Sequence, residues 1–303
     1  MKPKFHTFDP GQLTPQEMHS YLLTAVAPRP IAFVSTVDAK GNINLSPFSF
    51  FNVFSSNPPI MVFSPSRRGR DNTTKHTYEN IKEVPEAVVS MVSYSMVEQM
   101  SLASTEYAKG VNEFQKAGFT ERDSDLVKPP RVEESPVSFE CTIDQVIELG
   151  EEGGAGNLVI ARVQKMHIRE EYLKADGNLD PLKLDLVGRM GENWYCHAGN
   201  ESLFEIPKPL QTKGIGVDQL SRSIRNSNII SPNHLGRMGN LEKLPSEEEV
   251  LSVLKSDAIH EILLEYETQR DLIKDAIHHL GKELLEAGKT YEALTTLMVV
   301  DHI

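Results

Sequence analysis

Between Arg29 and Arg70 the chain sets out aromatic, hydroxyl and cationic side chains in an order that suits one kind of ligand. Ser46-Pro47-Phe48-Ser49-Phe50-Phe51-Asn52 joins aromatic surface to hydroxyls, and Arg67-Arg68-Gly69-Arg70 with Lys75-His76-Thr77 adds positive charge. A loop offering guanidinium forks, hydroxyls and main-chain N–H groups just ahead of a helix makes an anion site. A flat, partly apolar ring carrying a phosphate tail needs both parts, and flavin mononucleotide (FMN) is such a ligand. Each part alone has a plainer explanation. Basic runs often serve only solvation, and the aromatics can be a core strand. If the chain is extended at Phe50-Phe51, the two rings face opposite ways, so at least one of them is core.

These residues need a scaffold, and the flanking sequence reads as strands. Residues 31–37, 60–64 and 87–93 are β-rich runs bounded by turn residues. Asp38 to Asn42 closes the first run into a hairpin, with Gly41 free to take positive φ. Residues 137–149 alternate around Val137, Phe139, Cys141 and Ile143, then shift phase near Gln145-Val146-Ile147, which predicts a bulge. Residues 157–168 and 193–197 read as further strands, and short helices fit 77–83, 95–104 and 112–117. Many strands with short helices between them predict a barrel, not a βαβ repeat.

After His197 the character changes. Residues 206–245, rich in Pro, Gly, Ser and Asn, read as an ordered loop or linker. Ser246 and Glu249 then make a capping box, and residues 272–285 carry an apolar helical stripe stopped by Gly288. Thr290 is placed to cap a last helix. The amphipathic stripes must be buried, so this extension is expected to pack on the barrel or extend a dimer contact, or else to form a lid over the ring.

The bulk numbers exclude some classes. The 303 residues are 39% hydrophobic and 24% charged, as in an ordinary globule, and the net charge of −12 disfavours nucleic acid and anionic membranes. No apolar run is long enough to span a bilayer, and the first residues lack a signal-peptide core, so the cytoplasm is the default compartment. Cys141 and Cys196 form no metal or dithiol motif, and each reads as a buried free thiol. Gly150 to Gly156 runs into strand-like residues, so it reads as a hairpin turn and not a dinucleotide loop. His278-His279, adjacent on a helix, do not share a face as metal ligands would. His197 either borders the substrate side of a flavin or is structural.

The ordered series resembles the flavin reductase-like, flavoredoxin-type proteins of the FMN-binding split-barrel family. It comprises Arg29 to Thr36, Gly41, Asn44, Ser46 to Phe51, Pro58-Pro59, Ser64 and Lys75 to Ile81, then Leu186 to Gly191 before Tyr195. The likeness covers about two-thirds of the chain, and it departs where His76 replaces the family's usual aspartate. It implies a mainly β fold, an antiparallel FMN-binding split β-barrel over residues 1–200 with short helices; the helical extension over 201–303 is expected from its own capping and periodicity. The likeness also implies a homodimer with FMN near the interface. By position, Thr36 and the run Ser46, Pro47, Phe48, Ser49 and Phe50 approach the ring and ribityl chain, while Ser64, Arg67, Lys75 and Thr77 hold the phosphate.

The expected activity is hydride transfer from NAD(P)H through FMN to a small-molecule or protein acceptor, with no catalytic acid or base assigned. The alternatives are a flavoredoxin-like electron carrier and a non-enzymatic split-barrel module holding flavin or haem, with His76 and His197 as available iron ligands.

Overall fold

The computed structural model describes residues 3–206 and 212–303. They form two compact units, Met1–Phe204 and Glu205–Ile303. The first contains a seven-stranded antiparallel sheet. Its strands are β1 (Ala32–Val37), β2 (Ile43–Phe48), β3 (Phe51–Ser56), β4 (Pro59–Phe63), β5 (Glu86–Ser90), β8 (Val137–Glu148) and β9 (Asn157–Ile168). A short ladder pairs β6 (Glu121–Arg122) with β7 (Arg131–Val132), and a hairpin pairs β10 (Leu186–Arg189) with β11 (Tyr195–Ala198).

The order in the large sheet is β2-β1-β5-β8-β9-β4-β3. The two outermost strands, β2 and β3, are joined by only Ser49 and Phe50. Three Cα steps reach about 11 Å at most, whereas the edges of a flat seven-stranded sheet lie roughly 29 Å apart. The sheet must therefore roll up until its edges nearly meet, leaving a split at Ser49-Phe50. The sheet's inner cluster includes Ala32, Val34, Phe48, Phe51, Met61, Phe63, Val89, Cys141 and Val159. Phe33 and Leu45, of opposite phase, pack outward against Met96, Met100 and Phe114 of the helical layer. That layer includes α3 (Val97–Ala103) and α4 (Glu113–Ala117).

Local signals explain several features. Gly41 takes φ +85° in the β1–β2 turn, and Asp38 accepts from the main-chain N–H groups of Lys40 and Asn42. The β8–β9 register shifts between Ile143 and Gln145, where the phase change predicts a bulge, and again between Glu140 and Cys141. Cys141 is buried, and burial pushes its thiol up to about 12. Cys196 is only half-buried, against expectation, because it lies on the short β10–β11 hairpin outside the large sheet.

The second unit is helical: α5 (Arg222–Arg225), α6 (Pro232–Gly239), α7 (Glu247–Leu254), α8 (Asp257–Tyr266), α9 (Arg270–Glu286) and α10 (Thr290–Met298). A mainly β description therefore fits the first unit only, since helix outweighs strand in the whole chain. Residues 206–245 are also not simply a linker. Residues 207–211 lie outside the described residues, but Leu220, Ile224, Ile230 and Met238 are buried with Leu285 and Leu294. The Ser246–Glu249 capping box forms at α7, and Gly288 follows α9 with φ +78°. Thr290 is the first residue of α10, and Lys289 stands at the cap in its place.

Candidate functional site

A cavity of about 510 Å³ opens at the split. That is within the range of roughly 300–1,000 Å³ common for small-molecule sites. One wall is the end of β2 and the crossing to β3: Ser46, Pro47, Phe48, Ser49 and Phe50. Phe48 is buried and packs on Phe63 at 5.7 Å between centroids, while Phe50 is 38% exposed towards the cavity. Phe51 points into the core, so the two adjacent rings face opposite ways. The other side of the cavity is the loop after β4, which contributes Ser64, Ser66, Arg67, Arg68, Gly69 and Arg70, with Lys75 beyond. Eight of the ten residues expected at the site thus line one cavity.

The other two do not line it, although Thr77 lines a small neighbouring cavity together with Ser46, Arg68 and Lys75. Thr36 is buried and accepts from Asn80 Nδ2 at 3.1 Å; Thr77, also buried, accepts from Asn44 Nδ2 at 2.8 Å. These bonds tie α2 (His76–Glu83) to β1 and β2, which fixes where the first turn of α2 sits. Lys75 occupies the N-cap position without capping the helix through its own side chain, leaving the ammonium at the cavity edge. The positive end of the helix dipole thus adds to the cationic loop.

The loop is held from below by the β8–β9 turn. Arg67 N–H donates to Ala155 O at 2.9 Å, and Gly154 N–H donates to Arg67 O at 3.0 Å. A Cβ at Gly153 would sit 3.1 Å from the carbonyl oxygens of Arg68 and Gly69, so only glycine permits this approach comfortably. Asn157 N–H donates to Ser64 Oγ at 3.0 Å, and Asn157 Nδ2 donates to Pro65 O at 2.9 Å. The turn expected at 150–156 therefore does more than connect two strands.

Within the loop, the Arg67 guanidinium donates to Asn72 Oδ1 at 2.7 Å and to Asn72 O at 2.9 Å. Arg68 donates to Thr73 Oγ1 at 2.9 Å and to Thr74 O. Arg68, Arg70 and Lys75 all pair with Glu106. Burial raises the Glu106 pKa, but the Arg68 hydrogen bond and the charges of Lys75, Arg68 and Arg70 outweigh it, and the carboxyl is held low. Burial lowers the His76 pKa; Glu79 opposes this, and Arg68, Lys109 and Lys75 reinforce it. Four cations, Arg67, Arg68, Arg70 and Lys75, thus stand against two carboxylates, Glu106 and the Asp71 paired with Arg70, which leaves the loop net positive.

Several residues at the site were not foreseen. His19 and Leu23 of α1 (Pro15–Ala25) also line the cavity, and the His19 ring meets Phe50 edge-on at 6.1 Å. Thr14 and Glu17 form a capping box there with Pro15 at the first helical position, a readable start signal. Buried Arg29 anchors that helix: it donates to the carbonyls of Leu23 and Val26 and, at 2.9 Å, to Met190 O, and its Nε reaches Ser49 Oγ at 3.4 Å. Ser66 Oγ on the cavity wall is, among the described residues, the buried polar side-chain atom left without a hydrogen-bond partner. An anionic ligand offering acceptor oxygens would satisfy it, so the donor set fits a phosphate tail.

His197 does not line this cavity. Its Nε2 lies 2.5 Å from Asp185 Oδ1, and its ring stacks on Tyr94 at 4.2 Å. His278 is buried against Ser227 Oγ at 2.8 Å. No helix among the described residues is long and apolar enough to cross a membrane.

Residues 24–183 match the model of the flavin reductase like domain. A protein of Aquifex aeolicus is 35% identical over 189 residues, which is 62% of this chain and 94% of its own length. One from Halalkalibacterium halodurans is 35% identical over 203 residues, 66% of this chain and 95% of its own. Among solved structures, nitrilotriacetate monooxygenase component B from Bacillus cereus superposes with TM-score 0.63 at 28% identity, over 68% of this chain and all of that one. Flavoredoxin of Desulfovibrio vulgaris (Miyazaki F), at 22% identity and TM-score 0.52 over 61% of this chain and 93% of its own, shares the fold.

Proposed function

Since the chain belongs to the flavin reductase like family, we propose that it is an FMN-dependent oxidoreductase that passes reducing equivalents from NAD(P)H to an acceptor. The observation that carries the reading is one cavity with an aromatic, hydroxyl-bearing wall and a cationic rim. Phe48, Ser49 and Phe50 would take the ring, with His19 and Leu23 across from them. Ser64, Ser66, Arg67, Arg68 and Lys75 would take the phosphate, with Thr36 and Thr77 holding the strands and helix that present them. Bound FMN supplies hydride and electron transfer chemistry. The chain's part is to orient the ring, keep water off one face of it and neutralise the phosphate.

A homodimer in the cytoplasm is the assembly proposed. In support, edge strand β3 leaves Val53 and Phe54 exposed beside a backbone edge that offers a template for pairing with a second copy.

The test is a visible spectrum of the purified protein followed by NAD(P)H oxidation with and without added FMN. Flavin-dependent turnover supports a reductase. Tight flavin retention with slow turnover favours the electron-carrier form instead, and a colourless protein that refuses FMN contradicts both.

A further inference from the structure

The rim of the cavity contains one acid that works against its proposed ligand. Glu106 lies in the segment after α3 and lines the same cavity as the basic loop. Its carboxylate takes Arg68 Nε at 3.0 Å, Lys75 Nζ at 3.4 Å and a guanidinium nitrogen of Arg70. Arg67 is already engaged by Asn72. Each of the three remaining cations of the rim thus meets the Glu106 carboxylate, with Arg70 also paired to Asp71, and a phosphate dianion seeking Arg68 or Lys75 meets a like charge already bound there.

We propose that Glu106 is a specificity-determining residue that competes with the flavin phosphate for Arg68, Arg70 and Lys75, keeping FMN exchangeable. This rests on the FMN reading above and deepens it. A carboxylate with 33% of its side chain exposed can swing aside when the phosphate arrives, but its ion pairs must break first. The flavin ring makes no such exchange, so the competition falls on the phosphate alone. FMN should therefore be held less tightly than the rim's four cations would allow, and released faster.

The experiment compares wild type with Glu106→Gln and Glu106→Ala, titrating each with FMN and with riboflavin and following FMN release by stopped flow. Removing the charge should tighten FMN on the order of tenfold and slow its release, because like-charge repulsion across a few ångströms near a surface has that size. Riboflavin affinity should stay as in wild type, which also shows that the variants fold. Unchanged or weaker FMN binding in both variants, with wild type still preferring FMN to riboflavin, overturns the proposal and makes Glu106 an organiser of the rim. A wild-type protein without that preference overturns the phosphate reading itself, and this proposal with it.

Discussion

Replacing Arg67 and Lys75 together by alanine should weaken FMN far more than riboflavin. Both side chains line the cavity on its cationic side, and their polar bonds go to Asn72 and Glu106, away from the aromatic wall. A charge-assisted hydrogen bond contributes about 1.5–3 kcal/mol, so two lost contacts sum to roughly 3–6 kcal/mol. Lys75 is 30% exposed and already shared with Glu106, and Arg67 is shared with Asn72, so part of that sum is screened or offset. An expected loss of about 2–4 kcal/mol remains, or roughly 30- to 1,000-fold in Kd. Quenching of flavin fluorescence gives both constants, at low and high salt. The FMN difference should shrink as salt rises, since the rim is open to solvent. Equal losses for the two flavins, or no loss for either, would refute the assignment of the phosphate to this loop.

Other parts of the site give three further expected outcomes. Phe50→Ala should weaken FMN and riboflavin alike, by about 0.5–1.5 kcal/mol beyond the lost contact area, because the ring is common to both; a loss confined to FMN would contradict the wall assignment. Gly153→Val should drive a side chain into the carbonyls of Arg68 and Gly69, loosening FMN while sparing riboflavin, and a crystal structure with an unmoved basic loop would count against it. Glu113 is buried with its carboxylate accepting from Leu45 N–H at 2.9 Å; burial raises its pKa, with the Leu45 bond opposing. The folded protein then binds its proton more tightly than the unfolded chain. Its contribution is therefore fully present below the ordinary glutamate range and is lost as pH rises through the elevated value. Thermal melts across mildly acidic pH should show that decline, and Glu113→Gln should flatten it; an identical profile in the variant would contradict the assignment.

Much of the barrel was legible because its strands obey simple patterns. The runs at 32–37 and 157–168 are apolar and β-branched, and Gly41 marks its turn by needing positive φ. Strands β2 and β3 were harder to see. Asn44, Ser46 and Pro47 have poor strand propensity, yet they stand in β2, where Asn44 bonds Thr77 and Ser46 and Pro47 line the cavity. Helix α1 has no buried residue, so no apolar stripe betrays it, although its capping box and Pro15 do. In the second unit, Ser221, Ser231 and Pro232 look like breakers but begin helices. Such residues signal either a loop or a helix start, and the next turn of sequence decides between the two. Ser66 and Glu106 were invisible for a different reason: a lone serine and a lone glutamate carry no pattern, and only folding brings them to the rim.

The most direct measurement is a crystal structure of the protein soaked or grown with FMN. The ring should lie against Phe48 and Phe50, with the phosphate in hydrogen-bond reach of Ser66 Oγ and of Arg68 or Lys75. Flavin bound elsewhere, or lying in this cavity with its phosphate turned away from the Arg67–Lys75 loop, would contradict this assignment.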